Sequence, residues 1–102
     1  MSDTRCYMIV TCHIHDRDRF LSGYGARARE LVGQFGGRYI LMAQGAEALE
    51  GDFGDGASMV ISEWPDRETA KRFWNSPDYA DAKKLRDDIA DVQVVIVEAP
   101  KL

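Results

Sequence analysis

Two stretches decide the fold: Cys6-Tyr7-Met8-Ile9-Val10-Thr11-Cys12-His13 near one end of the chain and Val92-Gln93-Val94-Val95-Ile96-Val97-Glu98 near the other. Both are short runs rich in β-branched and aromatic residues, bounded by charged turn residues, and that composition specifies strands. Neither alternates cleanly between apolar and polar. Val92, Val94 and Ile96 point to one face while Val95 and Val97 point to the other, and Met8 and Val10 oppose Tyr7 and Ile9. A sheet built from such strands is apolar on both sides and needs two covers.

Between these strands the chain supplies two helical regions and two more strands. Asp16 can cap a helix in which Phe20, Tyr24, Ala28, Leu31 and Phe35 recur at helical spacing, and Gly36-Gly37 stops it. Arg38 to Ala43 and Ser58 to Trp64 are β-prone, with a Gly-rich acidic loop between them. Pro65-Asp66 ends the third strand and caps a second helix carrying Ala70, Phe73 and Trp74. Ser76-Pro77 re-caps that helix into a continuation through Tyr79, Ala82, Leu85 and Ile89. The order is strand, helix, strand, strand, helix, strand. Two such strand-helix-strand units in series predict a ferredoxin-like α+β fold, βαββαβ, with a four-stranded antiparallel sheet in a single domain spanning 1–102.

Two helices cover one face of that sheet. The other face is expected to meet a second copy, sheet against sheet, in an isologous homodimer; a monomer holding an apolar ligand on its open face is the alternative. With 13 Lys and Arg against 17 Asp and Glu the formal charge is −4, and no basic cluster stands out. Nucleic acid and anionic membrane are therefore poor partners. No apolar run approaches the ~20 residues of a membrane span, and Met1-Ser2-Asp3-Thr4-Arg5 lacks the layout of a signal peptide. Cys6 and Cys12, roughly 20 Å apart on an extended strand, cannot form a disulfide with each other and read as buried free thiols. The expected compartment is the cytoplasm.

Several short stretches carry a family resemblance over nearly the whole chain. They are Gly36-Gly37-Arg38 after the first helix, Leu49-Glu50-Gly51-Asp52 in the loop, Glu63-Trp64-Pro65 closing the third strand and Trp74-Asn75-Ser76-Pro77-Asp78-Tyr79 in the second helix. The sequence resembles the domain-of-unknown-function family numbered thirteen-thirty, within the dimeric α+β barrel superfamily. The resemblance implies a ferredoxin-like dimer with a cleft between sheet and helices in each subunit. The wider superfamily includes cofactor-free monooxygenases, haem-degrading enzymes and chlorite dismutase-like proteins, and no motif here singles out one of those chemistries. Gly23 and Gly25 depart from a good helix, because each costs about 1 kcal/mol relative to Ala in a helix interior. Either a backbone approaches closely there or the helix is soft.

Glu63 and His13 are the candidate catalytic groups. They end antiparallel strands and lie at opposite ends of the sheet if those strands pair in full register. A bend that brings either toward Arg38 or Tyr24 would make it a general base. The competing reading is a solvated His13 and a Glu63–Arg38 ion pair. Cys12, His13 and His15 offer no evident third ligand, so no metal is expected. The glycines between 45 and 56 lack a following Gly-Lys-Ser/Thr and sit among carboxylates, which excludes a phosphate cradle, and their spacing is not that of an EF-hand. Tyr24, Trp64, Trp74 and Tyr79 could line a pocket for a flat apolar ligand, or simply pack the core. Ser76 and Arg38 complete the candidate ligand-binding set. The expectation is a cofactor-independent enzyme acting on a small organic molecule in this cleft. The alternative is a non-catalytic dimeric module that binds a small molecule or a protein.

Overall fold

The computed structural model describes residues 4–100, so the Met1-Ser2-Asp3 part of the N-terminal reading lies outside it. Strand β1 (Thr4–Ile14) leads into helix α1 (Arg17–Phe20), a π-helical turn (Leu21–Gly25) and helix α2 (Ala26–Gln34). Strands β2 (Arg38–Ala43) and β3 (Ser58–Trp64) follow, then helices α3 (Arg67–Trp74) and α4 (Pro77–Lys83), a 3₁₀ turn (Lys84–Arg86) and strand β4 (Ala90–Pro100). The four strands form one sheet in the order β2-β3-β1-β4, antiparallel throughout. This is the ferredoxin-like arrangement.

Local chemistry places the helices where the sequence puts them. The Asp16 carboxylate accepts from the Arg19 N–H, the Asp66 carboxylate from the Thr69 N–H, and the Ser76 hydroxyl from the Tyr79 N–H, so α1, α3 and α4 each begin on a side-chain cap. The hydrogen bond from Thr69 holds the Asp66 carboxyl below its ordinary range. The second helical region ends earlier than its apolar spacing predicts. It gives way to the 3₁₀ turn at Lys84, leaving Leu85 exposed, while Ile89 is buried from the loop that follows.

Two departures from regularity matter for the interior. Gly23 and Gly25 fall within the π turn, where the widened helix brings the Phe20 carbonyl within 3.3 Å of a Cβ built on Gly25. π turns occur mostly as single turns inside α-helices and are frequent at functional sites, and this one flanks the interior cavity. The β2–β3 register shifts between Tyr39 and Leu41, so Ile40 is the extra residue of a bulge. Strict alternation would put Tyr39 and Leu41 on one face. With the bulge, Tyr39 and Met42 both face the helices, whereas Leu41 pairs with Ile61 on the other side.

The core lies between helices and sheet. Cys6, Met8, Leu31, Val32, Trp64, Ala70, Phe73, Tyr79 and Ala82 form one buried cluster. Trp64 is 1% exposed and donates its indole N–H to Ser62 Oγ at 2.9 Å. Its ring packs so closely under the end of α2 that a Cβ built on Gly37 would lie 2.7 Å from Trp64 Cζ2, which explains why glycine stands there.

The opposite face carries Tyr7, Ile9, Leu41, Ile61, Val95 and Val97. Val95 is 56% and Val97 42% exposed, so this face is apolar and open in the single chain. Among the described residues no helix is long and apolar enough to cross a membrane.

Candidate functional site

A cavity of about 500 Å³ opens between the sheet and the first helical region, within the size range of small-molecule sites. The strands contribute the inward residues of their alternation, Met8, Val10 and Cys12 from β1, Val60 and Ser62 from β3, and Val92 and Val94 from β4. Phe20, Leu21, Tyr24 and Ala28 close it from the helical side, and Phe73, Trp74 and Tyr79 from the second helical region. Its walls are mostly apolar.

The polar groups are few and specific. Tyr24 and Tyr79 share a hydroxyl–hydroxyl hydrogen bond of 2.8 Å across 55 residues of sequence. Burial, reinforced by Tyr79, pushes the Tyr24 phenol well above its ordinary pKa, so it stays protonated at neutral pH. In such a pair one O–H is engaged and the other remains free to donate. Burial also raises the Tyr39 phenol, against the opposing charge of Arg29, and raises the Cys12 thiol, against Arg86 and Arg17. The cavity therefore offers hydrogen-bond donors. Among the described residues that line it there is no Asp, Glu or His, so it holds no ready general base.

An aromatic chain supports these donors. Trp64 and Phe73 stack with centroids 4.9 Å apart, Phe73 and Tyr79 at 4.6 Å, and Tyr79 and Trp74 at 5.0 Å. Lys83 Nζ stands 4.4 Å from the Trp74 ring centre and closes the stack from outside.

Of the residues singled out from sequence, Tyr24, Trp74 and Tyr79 line the cavity together. Trp64 packs the core beside it. Ser76 acts from one step away: its hydroxyl donates to the Phe73 carbonyl at 2.8 Å and accepts from the Tyr79 N–H at 3.1 Å, fixing the turn that aims both rings.

The structure does not bring Glu63, Arg38 or His13 to the cavity. Glu63 pairs with Tyr7 and Arg38 across the sheet, on the face away from the helices, and Arg38 Nη2 approaches its carboxylate to 2.8 Å. That hydrogen bond holds the Glu63 carboxyl below its ordinary range, with a smaller contribution from Tyr7. His13 stands six residues along β1 from Tyr7 and bonds through Nε2 to the Asp55 carbonyl at 3.1 Å. The strands do pair in full register, and period-two alternation sends odd-numbered residues of β1 and β3 outward. Cys12 faces the cavity, His13 faces out, and His15 pairs with Asp91 at 2.9 Å. Among the described residues no cluster of three His, Cys, Asp or Glu side chains could hold a metal. In the loop, Asp55 accepts from the Ala48 N–H, so this carboxylate serves the loop's own backbone.

Sequence reasoning missed Arg17, Arg29 and Tyr39, all of which line the cavity. A signal existed for Arg17, which stands three and four residues before Phe20 and Leu21 on the apolar stripe of the helix. Tyr39 gave none, because its side chain is set by the bulge.

Solved structures share this architecture. A protein of unknown function from Rhodopseudomonas palustris matches 98% of the chain and 85% of its own length, with 16% identity and a TM-score of 0.78. SnoaB, a cofactor-independent oxygenase from Streptomyces nogalater, matches 96% of this chain and 95% of its own at 15% identity and TM-score 0.71. A dimeric ferredoxin-like protein of unknown function from Jannaschia sp. CCS1 matches 93% and 99% at 12% identity and TM-score 0.71. These likenesses define a ferredoxin-like α+β fold. No curated protein matches in sequence. Residues 5–100 match the family model Domain of unknown function (DUF1330), and the chain belongs to that family.

Proposed function

We propose that this protein is a cofactor-independent enzyme that acts on a small, flat, largely apolar organic molecule held between sheet and helices, as a cytoplasmic homodimer joined through the open sheet face. The observation that carries the reading is the cavity with its hydroxyl pair, an apolar chamber of ligand size whose polar point is the Tyr24–Tyr79 hydrogen bond, with the Tyr24 phenol kept protonated by burial. A free phenolic O–H in a dry site stabilises negative charge developing on a substrate oxygen, the largest single contribution many enzymes make. The cofactor-independent oxygenase from Streptomyces nogalater supports chemistry of this class on this fold. The dimer is supported by the exposed Val95 and Val97 and by the dimeric protein from Jannaschia sp. CCS1.

The lack of a carboxylate or imidazole among the described residues of the cavity wall favours a second reading, a module that binds the same ligand without turning it over.

N-phenyl-1-naphthylamine, an uncharged planar probe, tests the site by energy transfer from the tryptophans. Saturable binding to the wild type is expected. It is expected to be lost in Ala28→Leu or Val60→Phe, which fill the cavity, and kept in Val95→Lys on the open face. Binding that survives both filled variants, each shown to be folded by circular dichroism, would remove the cavity from consideration. Unchanged absorbance and oxygen uptake across a panel of bound phenols would favour the module.

A further inference from the structure

We infer that the cavity takes an oxyanion: its ligand is a flat aromatic acid whose negative group sits against Arg17 and Arg29. This rests on the cavity being a ligand site and adds the charge of that ligand. The two arginines are the only charged residues among the described residues lining the cavity, in a chain of formal charge −4. Most of the other arginines have a carboxylate. Arg38 pairs with Glu63, Arg67 with Glu98, Arg27 with Glu30 and Arg72 with Glu68.

Among the described residues, Arg17 and Arg29 have none. Arg17 Nη2 donates to Ser58 Oγ at 3.1 Å, and Arg29 Nη2 reaches Met42 Sδ at 3.8 Å, a weak acceptor. A guanidinium carries five N–H donors in a planar fork that matches an oxyanion, so most of this donor capacity is uncommitted. Ser58 opens β3 and Met42 stands near the close of β2, which places both guanidinium groups at the end of the cavity beside the β2–β3 loop.

A third arginine adds to the same field from behind. The Arg86 guanidinium lies 5.3 Å from the Tyr24 ring centre, and its Nε is buried with no hydrogen-bond partner among the described residues. Uncompensated cations beside a low-dielectric chamber focus a positive potential into it, and an anion that enters neutralises a charge the fold leaves open. The remaining walls are apolar and aromatic, so the body of the ligand is a ring system and its charge is confined to one end.

The test uses two probes that share one skeleton, N-phenyl-1-naphthylamine and its sulfonate, 8-anilinonaphthalene-1-sulfonate, titrated against the full chain at low salt. The sulfonate is expected to bind roughly tenfold more tightly, the size of one charge-assisted hydrogen bond. Arg17→Met with Arg29→Met is expected to bring its affinity down to that of the neutral probe. Arg29→Met alone, at an exposed position, gives part of that loss if the double variant melts early. Equal or weaker sulfonate binding, with the neutral probe still bound, would overturn the oxyanion while leaving the cavity reading in place. Failure of both probes to bind would overturn the cavity reading itself. Sulfonate binding abolished by Val95→Lys would place the probe on the open face and refute the inference.

Discussion

Replacing Gly37 with alanine tests the packing on which the cavity wall depends. The added Cβ would stand 2.7 to 2.8 Å from Cζ2, Cε2 and Cη2 of Trp64, distances that real side-chain contacts do not tolerate. Trp64 cannot yield cheaply, because it is almost wholly buried, stacks on Phe73 and is tied to Ser62 Oγ. Overpacking of this kind costs about 1–3 kcal/mol, and a lost Trp64–Ser62 hydrogen bond adds about 1 kcal/mol, so Gly37→Ala is expected to destabilise by roughly 2–4 kcal/mol. In a domain of about 100 residues that lowers the melting temperature by roughly 10–20 °C.

Gly33 is the control, since it is exposed in α2 and a Cβ there meets nothing within 4 Å. Gly33→Ala is expected to stabilise by about 0.5–1 kcal/mol through the unfolded chain and helix propensity. Urea unfolding followed by tryptophan fluorescence measures both. A Gly37→Ala protein as stable as wild type, or a Gly33→Ala protein that loses as much, would refute the close-approach argument.

Ser76→Ala removes the cap of α4 and is expected to cost about 1 kcal/mol in thermal unfolding, with weaker probe binding because the Phe73–Tyr79 turn loosens. Tyr79→Phe is expected to lower the Tyr24 pKa yet leave it above 10.0, since burial is the larger cause; spectrophotometric titration of the phenols reads this directly, and no change would break the hydroxyl pair. Glu63→Gln and Arg38→Ala are expected to leave probe affinity unaltered while changing the sedimentation behaviour of the proposed dimer, because both residues lie on the open face. Glu63 and Asp66 bind protons less tightly folded than unfolded. The stability they contribute is present above their ordinary values of 4.5 and 3.8 and is lost as pH falls through the lowered ones, which unfolding midpoints measured from pH 6 to 2 would show as a decline.

Much of the architecture was legible in the chain because it is written in local chemistry. Asp16, Asp66 and Ser76 announce helix starts through the hydrogen bonds their own side chains make within one turn. The β-branched runs announce strands, and their two apolar faces announce an open sheet surface, now visible in Val95 and Val97. Tyr24, Trp74 and Tyr79 stood out in the sequence as aromatic groups for a single cleft, and all three line the cavity.

What the sequence determined by itself was the set of elements, their order and the excess of apolar surface, since helix caps, periodicity and composition are properties of neighbouring residues. Only the tertiary structure decided which face each polar group meets. Glu63, Arg38 and His13 turned away from the cavity because strand register assigns faces by parity across chains of pairing that no local signal records. Tyr39 and Met42 turned toward it because one extra residue at Ile40 reverses that parity, and Arg17 and Arg29 became unpaired cations because, among the described residues, the fold brings no carboxylate within reach of them.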